Sequence, residues 1–416
     1  MGIANKKVKE YFIDNNIIFI EYIDGDFYTD DIFNNIDYIV KSSGIKFDTP
    51  FLIDACKKDI KIISDLELYY LYNKEKELIV VTGTNGKTTT TTLISNLLND
   101  GNIINSGVYG NIGTPLFSKK DDNIVIIEAS SFMLHNSYEI KPHIYVITSL
   151  VSHHLDYHKK EEDYFYDKTK IINNLKETDY LIFNSDYHII NKMVNNNRCK
   201  IIKYSFFDEN ADVYIKENNI FYKNKKIFDI QNFRRKELHN LENMLAAFIV
   251  GTIYNIDCDI IKESFIKFNG LEHRFEIIIE TSDLVIINDS KSTSPASLEK
   301  AIDNICINKY EKYSKILILG GNIVDKDYNN VNLKLNLFDY IFVFGKSQFE
   351  YCKLLKYNKI YLFDTLDEVI LYIKNKINKK LLILFSPSSP SYDLYSNYEK
   401  RGNHFKELIF YHNFCN

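Results

Sequence analysis

The chain has 416 residues, 45% hydrophobic and 26% charged, an ordinary globular balance with material for several cores. Its 15 glycines and 6 prolines exclude collagen-like, linker-rich and low-complexity disordered chains. A net charge of −5 provides no overall positive field for nucleic acid or anionic lipid, and no apolar run approaches the ~18 residues that span a bilayer. Cysteines 56, 199, 258, 306, 352 and 415 are far apart and form no CxxC pair, which fits a reducing compartment better than a zinc site or disulfide framework. The N-terminus, MGIANKKVKEYF, is charged and amphipathic rather than a signal peptide. The expectation is a cytoplasmic, monomeric protein with neither nucleic acid nor membrane as a partner.

Runs rich in Ile, Val, Phe and Tyr alternate with helical stretches along the chain. They predict strands at Ile17–Tyr22, Leu78–Thr82, Ile124–Glu128, Ile144–Thr148 and Tyr180–Phe183. Further strands are predicted at Leu284–Asn288, Lys315–Leu319, Tyr340–Phe344 and Leu381–Phe385. Between them, Thr89–Asn99, Ser297–Ile307 and Asp367–Ile377 carry apolar residues at helical spacing. Such alternation implies α/β architecture with parallel sheets covered on both faces. Ala211–Ile230, with Asn-Lys turns, reads as an antiparallel insert. Pattern places domains at residues 1–76, 77–269 and 270–416.

The strongest motif is LIVVTGTNGKTTTTTLISNLL. A buried strand ends at Thr82, glycines 83 and 86 shape a turn, and Lys87-Thr88 open a helix. Backbone N–H groups freed by glycine, the helix N-terminus and a lysine together bind phosphate, and Thr88 is a ligand for Mg²⁺. The nucleotide-binding run is Gly83, Thr84, Asn85, Gly86, Lys87, Thr88 and Thr89. The usual first glycine of such loops is replaced by Val81. Downstream, IVIIE delivers Glu128 at a strand end, where a carboxylate suits a phosphate-bound Mg²⁺ or simply caps a helix.

SLVSHHLDYH gathers His153, His154, Asp156 and His158 after another strand, and Lys168 follows in DYFYDKTK. A metal is one reading of the histidines, and polar side chains on the surface are the other. Asn240 and Asn243 share a face at the start of a helix, able to meet a purine edge or to cap the helix. GLEHRFE places Arg274 at a domain junction. NDSKST brings Asp289, Lys291 and Thr293 out of a strand end, and FSPSSPSYD does the same with Ser391.

In this order, TGTNGKT, GNIG, EASSF, HHLD, HNLEN, GLEHRFE, NDSK, FSPSSPSYD and NYEKRGNHF resemble the Mur ligases of peptidoglycan synthesis across nearly the whole chain. NDSK, HRFE and RGNHF point to the D-glutamate-adding branch. The resemblance implies a truncated Rossmann-like N-terminal domain that binds the UDP substrate, a central ATPase domain of the P-loop type and a Rossmann-like C-terminal domain. It also implies ATP and Mg²⁺, with UDP-N-acetylmuramoyl-L-alanine and D-glutamate as substrates joined through an acyl phosphate. Lys87, Glu128, His154 and Lys168 would be the catalytic set. Thr88, Glu128, His154 and a carbamylated Lys168 would hold the metal ions. Asn240, Asn243, Arg274 and Asp289 would contact the nucleotide. Asn111 would meet the UDP substrate, and Lys291, Thr293, Ser391 and Tyr398 the D-glutamate.

Three departures bear on this reading. His153 stands where the family carries an acidic residue, and Val324 where it carries a lysine, with Lys326 as a substitute through a loop shift. The opening residues match the family's first loop and helix, so the first strand is missing, through a misplaced start or a shortened domain. The alternatives are a sibling amide ligase with another acceptor, folylpolyglutamate synthesis included, and a nucleotide-binding homologue without ligase activity.

Overall fold

A computed structural model describes residues 3–414 except 104, 112, 119–121, 152–157, 159, 195–197, 237, 307–309, 311 and 377–379. The chain divides into two compact units, Met1–Phe268 and Asn269–Asn416.

In the first unit, β1 (Tyr38–Val40) and β2 (Lys61–Ile63) pair in parallel as a small sheet. The large sheet comprises β3 (Glu77–Thr82), β4 (Ser106–Gly110), β5 (Ile124–Glu128), β6 (Ile144–Ile147) and β7 (Tyr180–Asn184), followed by β8 (Lys200–Ser205), β9 (Val213–Lys216), β10 (Asn219–Tyr222) and β11 (Lys225–Asp229). Their spatial order is β11-β10-β9-β8-β7-β6-β3-β5-β4. The antiparallel insert is the meander β9–β11, which extends this sheet through a parallel β8–β9 contact.

Side-chain alternation explains why the strands read as unbroken apolar runs. Leu78 and Val80 of β3 face a core shared with Val125, Ile127 and Tyr145. Ile79 and Val81 face the opposite core with Leu93, Leu97, Met244 and Phe248 of helices Lys87–Asp100 and Leu238–Ile253. With both faces covered, neither parity of the strand tolerates polar residues.

The N-terminal region packs onto this framework. Val8, Leu66, Leu68 and Tyr69 join the core of Leu78 and Val80, so the division expected at residue 76 falls inside the first unit. Phe33, Phe51, Leu52, Ala55 and Ile62 make a separate small core. The strand predicted at Ile17–Tyr22 does not form: that segment joins no sheet, and Ile18 is 98% exposed. It borders a cavity of about 280 Å³ that Val8, Phe12, Ile39 and Phe51 also line. A β-run without a neighbour in hydrogen-bonding reach has nothing to make it a strand.

The second unit holds β12 (Glu276–Glu280), β13 (Leu284–Asn288), β14 (Ser314–Gly320), β15 (Tyr340–Phe344), β16 (Ile360–Phe363) and β17 (Leu381–Ser388). They lie in the order β12-β13-β17-β14-β15-β16, parallel except for β12 against β13. Leu317 and Leu319 face one core and Ile316 and Ile318 the other, repeating the two-sided logic.

Candidate active site

The carboxyl ends of β3, β5 and β6 converge on the turn Gly83–Gly86. Gly83 has φ +148°, and a Cβ there would meet Thr148 Oγ1 at 2.1 Å. Gly86 has φ +83° and caps the helix Lys87–Asp100, where a Cβ would meet Asn243 Oδ1 at 2.3 Å. Both positions need glycine for space and for dihedral angle. The β6 end braces the turn. The Thr84 and Asn85 amides donate to Ser149 O (2.9 Å) and Ser149 Oγ (2.8 Å), and Thr148 Oγ1 donates to Asn85 O (2.5 Å).

Lys87 Nζ folds back on Gly83 O (2.8 Å) and Thr84 O (2.9 Å). Thr88 is half-buried and Thr89 buried at the start of the helix. Thr90 Oγ1 donates to Asn243 Oδ1 (3.2 Å), tying the loop's helix to the helix Leu238–Ile253, on which Asn240 is buried one turn earlier.

Glu128 is 2% exposed at the end of β5. Its Oε1 accepts from Asn111 Nδ2 (2.8 Å), while Oε2 is buried without a hydrogen-bond partner among the described residues. Lys168 is buried on helix Glu161–Thr169, where Nζ donates to Thr82 Oγ1 (3.2 Å) and Gly83 O (2.9 Å). Burial pushes its pKa well below the ordinary lysine value, and the Lys87 charge acts in the same direction. The carboxylates of Asp167 and Glu128 oppose that shift.

These features fit a nucleotide with a divalent ion. The glycines keep clear a cradle that Cβ atoms would fill, and a buried carboxylate oxygen lacks a donor among the described residues, as an oxygen awaiting a cation does. Lys87, Thr88, Glu128, Lys168, Asn111 and Asn243 thus come together in the first unit. His154, like His153 and Asp156, lies outside the described residues.

In the second unit, Asp289 follows β13 and is 7% exposed. Its carboxylate accepts from Phe275 N (3.0 Å) and Ser386 Oγ (2.8 Å), yet burial outweighs these bonds and raises its pKa to about 7. Lys291 Nζ sits 5.4 Å from the centre of the Tyr398 ring, and Ser391 is buried after β17. Arg274 and Thr293 are exposed. The substitute role for Lys326 meets a competing partner, because its Nζ pairs with Glu350 Oε1 at 2.8 Å on the surface.

Several residues that organise these sites carry little signal in the sequence. Thr148 and Ser149 carry no signal beyond their place at and just after the end of a predicted strand. The helix bearing Lys168 is held through Asp167, which accepts from or pairs with His135, His158 and Lys170. Arg401 was visible only as part of RGNHF. Fully buried, it donates to Ser290 Oγ (3.1 Å), Ser290 O (2.8 Å), Ser389 O (2.8 Å) and Gly320 O (3.3 Å), joining the loops after β13, β14 and β17.

The fold and the glycine cradle define an α/β protein of the phosphate-loop class. The description "Mur ligase middle domain" matches residues 81–251. The UDP-N-acetylmuramoylalanine--D-glutamate ligase of Streptococcus agalactiae serotype Ia is 31% identical over 380 residues, covering 88% of this chain and 81% of that protein. The protein of the same name from Prochlorococcus marinus is 34% identical over 393 residues, covering 90% and 82%. Among solved structures, the UDP-N-acetylmuramate-alanine ligase of Thermotoga maritima has a TM-score of 0.61 at 18% identity over 97% of this chain and 90% of that one. The MurF ligase of Thermotoga maritima, in complex with ADP, has a TM-score of 0.55 at 17% identity, covering 92% and 100%. The chain belongs to the Mur ligase family, on the side of the relatives named UDP-N-acetylmuramoylalanine--D-glutamate ligase. Among its described residues no helix is long and apolar enough to cross a membrane.

Proposed function

We propose that the protein is an ATP-dependent ligase that joins D-glutamate to UDP-N-acetylmuramoyl-L-alanine in peptidoglycan precursor synthesis. The observation that carries the ATP-dependent part is Glu128, a buried carboxylate with one unpartnered oxygen beside the Gly83–Gly86 cradle and Lys168. The names of the relatives, similar over about nine-tenths of this chain, supply the two substrates.

ATP and Mg²⁺, when bound, supply the γ-phosphoryl group and the charge neutralisation that turn the alanine carboxylate into an acyl phosphate. The chain's part is alignment and electrostatics. The loop amides and the N-terminus of helix Lys87–Asp100 would attract the phosphates, and Lys87, now on Gly83 O and Thr84 O, would supply its charge to them. Thr88, Glu128, His154 and Lys168 would hold the ions. An ammonium cannot ligate a cation, so Lys168 takes part as a carbamate. Its neutral amine attacks CO₂ and releases one proton, leaving an N-carboxylate. Burial, which favours the neutral amine, supports this.

Asn240 and Asn243 of the first unit are assigned to the base, and Arg274 and Asp289 are the second unit's own candidates for nucleotide contact. Asn111, already bonded to Glu128, meets the muramoyl substrate. Lys291, Thr293, Ser391 and Tyr398 capture D-glutamate, whose amine displaces phosphate from the acyl group. The chain works in the cytoplasm as a monomer.

The test is release of ADP and phosphate by purified protein, measured with each substrate omitted in turn and with a panel of amino acids. Dependence on both UDP-N-acetylmuramoyl-L-alanine and D-glutamate is expected. Turnover with another amino acid in place of D-glutamate, or none at all, overturns the assignment.

A further inference from the structure

On the helix that carries Lys168, and beside it, lies a second group of metal-ligating side chains that the ligase chemistry does not use. His135 Nδ1 lies 2.6 Å from Asp167 Oδ2, and His158 Nδ1 lies 3.1 Å from the same oxygen. Together these donor atoms fall within 4.8 Å of one another, and no comparable His/Cys/Asp/Glu group occurs among the described residues. The His158 side chain is fully buried, Asp167 is 4% exposed, and His135 at 34% opens the group to solvent.

We propose that His135, His158 and Asp167 form a binding site for a first-row transition dication, with Zn²⁺ the best-matched ion. This site is distinct from the Mg²⁺ sites of the phosphate loop.

The donor set discriminates between metals. Two imidazole nitrogens and one carboxylate oxygen, with a fourth position left to solvent, suit zinc, whereas Mg²⁺ demands oxygen ligands. Around a tetrahedral ion with bonds of ~2.0–2.1 Å, donors stand roughly 3.3 Å apart. The 3.1 Å spacing is close to this, and the 2.6 Å spacing opens by a small ring movement of the half-exposed His135.

The surroundings have the outer shell such sites use. His158 Nε2 meets Ser131 Oγ at 2.9 Å, which orients the ring with Nδ1 towards Asp167. Phe132 stacks on the His158 ring (5.7 Å between centroids), and Phe47 meets the edge of His135 (4.5 Å). Lys170 Nζ stands 3.6 Å from Asp167 Oδ1, leaving Oδ2 as the single oxygen for the ion. The ion would join helix Ser131–His135, His158 and helix Glu161–Thr169, and so brace the element that presents Lys168.

The full chain, stripped by chelation and dialysed against micromolar Zn²⁺ with millimolar Mg²⁺ present, tests this by elemental analysis. One zinc per chain is expected, with visible d–d absorption of tetrahedral type when Co²⁺ replaces it. Asp167→Asn and His135→Gln are each expected to weaken zinc binding at least ~10-fold. Lys168→Ala keeps the zinc while losing ligase turnover, which separates this proposal from the ligase assignment. If Asp167→Asn does not fold, the thermal midpoint decides: zinc raises it in the wild type but not in His135→Gln. Absence of zinc from the wild type, or equal retention by His135→Gln, overturns the site.

Discussion

The loop sites of the two units both bury charge at strand ends, but they treat it differently. In the second unit Arg401 is fully buried, and acceptors on Ser290, Gly320 and Ser389 receive its N–H groups. In the first unit Glu128 is as deeply buried, yet one of its oxygens has no donor among the described residues. A buried charge costs several kcal/mol unless it is paired. Arg401 therefore reads as a scaffold that fastens three loops, and Glu128 as a group whose partner is a ligand. For these two groups, the oxygen left without a donor separates a ligand-binding charge from one that fastens the fold.

The sharpest way to break this contrast is to remove one charge from each site. Lys168→Ala should lower kcat by roughly 10²–10³-fold, the scale for losing one electrostatic contact in a water-excluded site. Steady-state ADP release measures it, and near-wild-type turnover removes Lys168 from the machinery. Glu128→Gln should cost at least about 10²-fold in turnover without lowering the thermal midpoint.

Arg401→Met should behave in the opposite sense. It leaves buried carbonyls unmet at ~1–3 kcal/mol each, so the loss of stability should be about 3 kcal/mol. Denaturant unfolding of the full chain checks this. A stable Arg401→Met protein would show that the loops are held by other means.

Gly86→Ala tests the cradle itself. The added Cβ collides with Asn243 Oδ1 and is held at φ +83°. The expected cost is about 1–3 kcal/mol, with weaker ATP binding visible as a raised KM.

The pH dependence of Asp289 gives a subtler comparison. Its folded pKa is raised to about 7, above the usual carboxylate value. Between about pH 4 and 7 the folded chain keeps a proton that the unfolded chain has lost, so the group lowers stability progressively as pH rises through that window. Above pH 7 the effect levels off. Thermal midpoints of Asp289→Asn and wild type should therefore move apart between pH 5 and 7.5, the wild type losing more. Parallel curves would contradict the shift.

Lys326→Ala has the smallest expected effect. The exposed pair with Glu350 contributes ~0–1 kcal/mol, and the KM for D-glutamate should hardly change. A large rise in that KM would restore Lys326 to the substrate site.

Much of this organisation was legible from residues alone. The runs at Ile124–Glu128, Leu284–Asn288 and Tyr340–Phe344 form strands with the predicted ends, because two-sided burial admits only apolar residues there. The glycine turn at 83–86 was equally plain, since its glycines are required by backbone geometry that few other residues adopt. Ile17–Tyr22 carries the same composition but is no strand, for a strand is a property of a pair and its neighbour is not encoded in its own residues.

The amino-acid sequence by itself determined the alternating elements, the glycine cradle with Lys87 and Thr88, and the order of motifs that mark the family. Each of these depends on local backbone geometry or on side-chain periodicity. Only the tertiary structure decided that Asn111 meets Glu128, that Asn243 crowds Gly86, that Asp167 faces His135 and His158, and that Arg401 spans three loops. Those contacts join residues 17, 157, 32 and 9, and 12 to 111 positions apart, and such proximity follows from how strands and helices pack rather than from the residues' own local pattern.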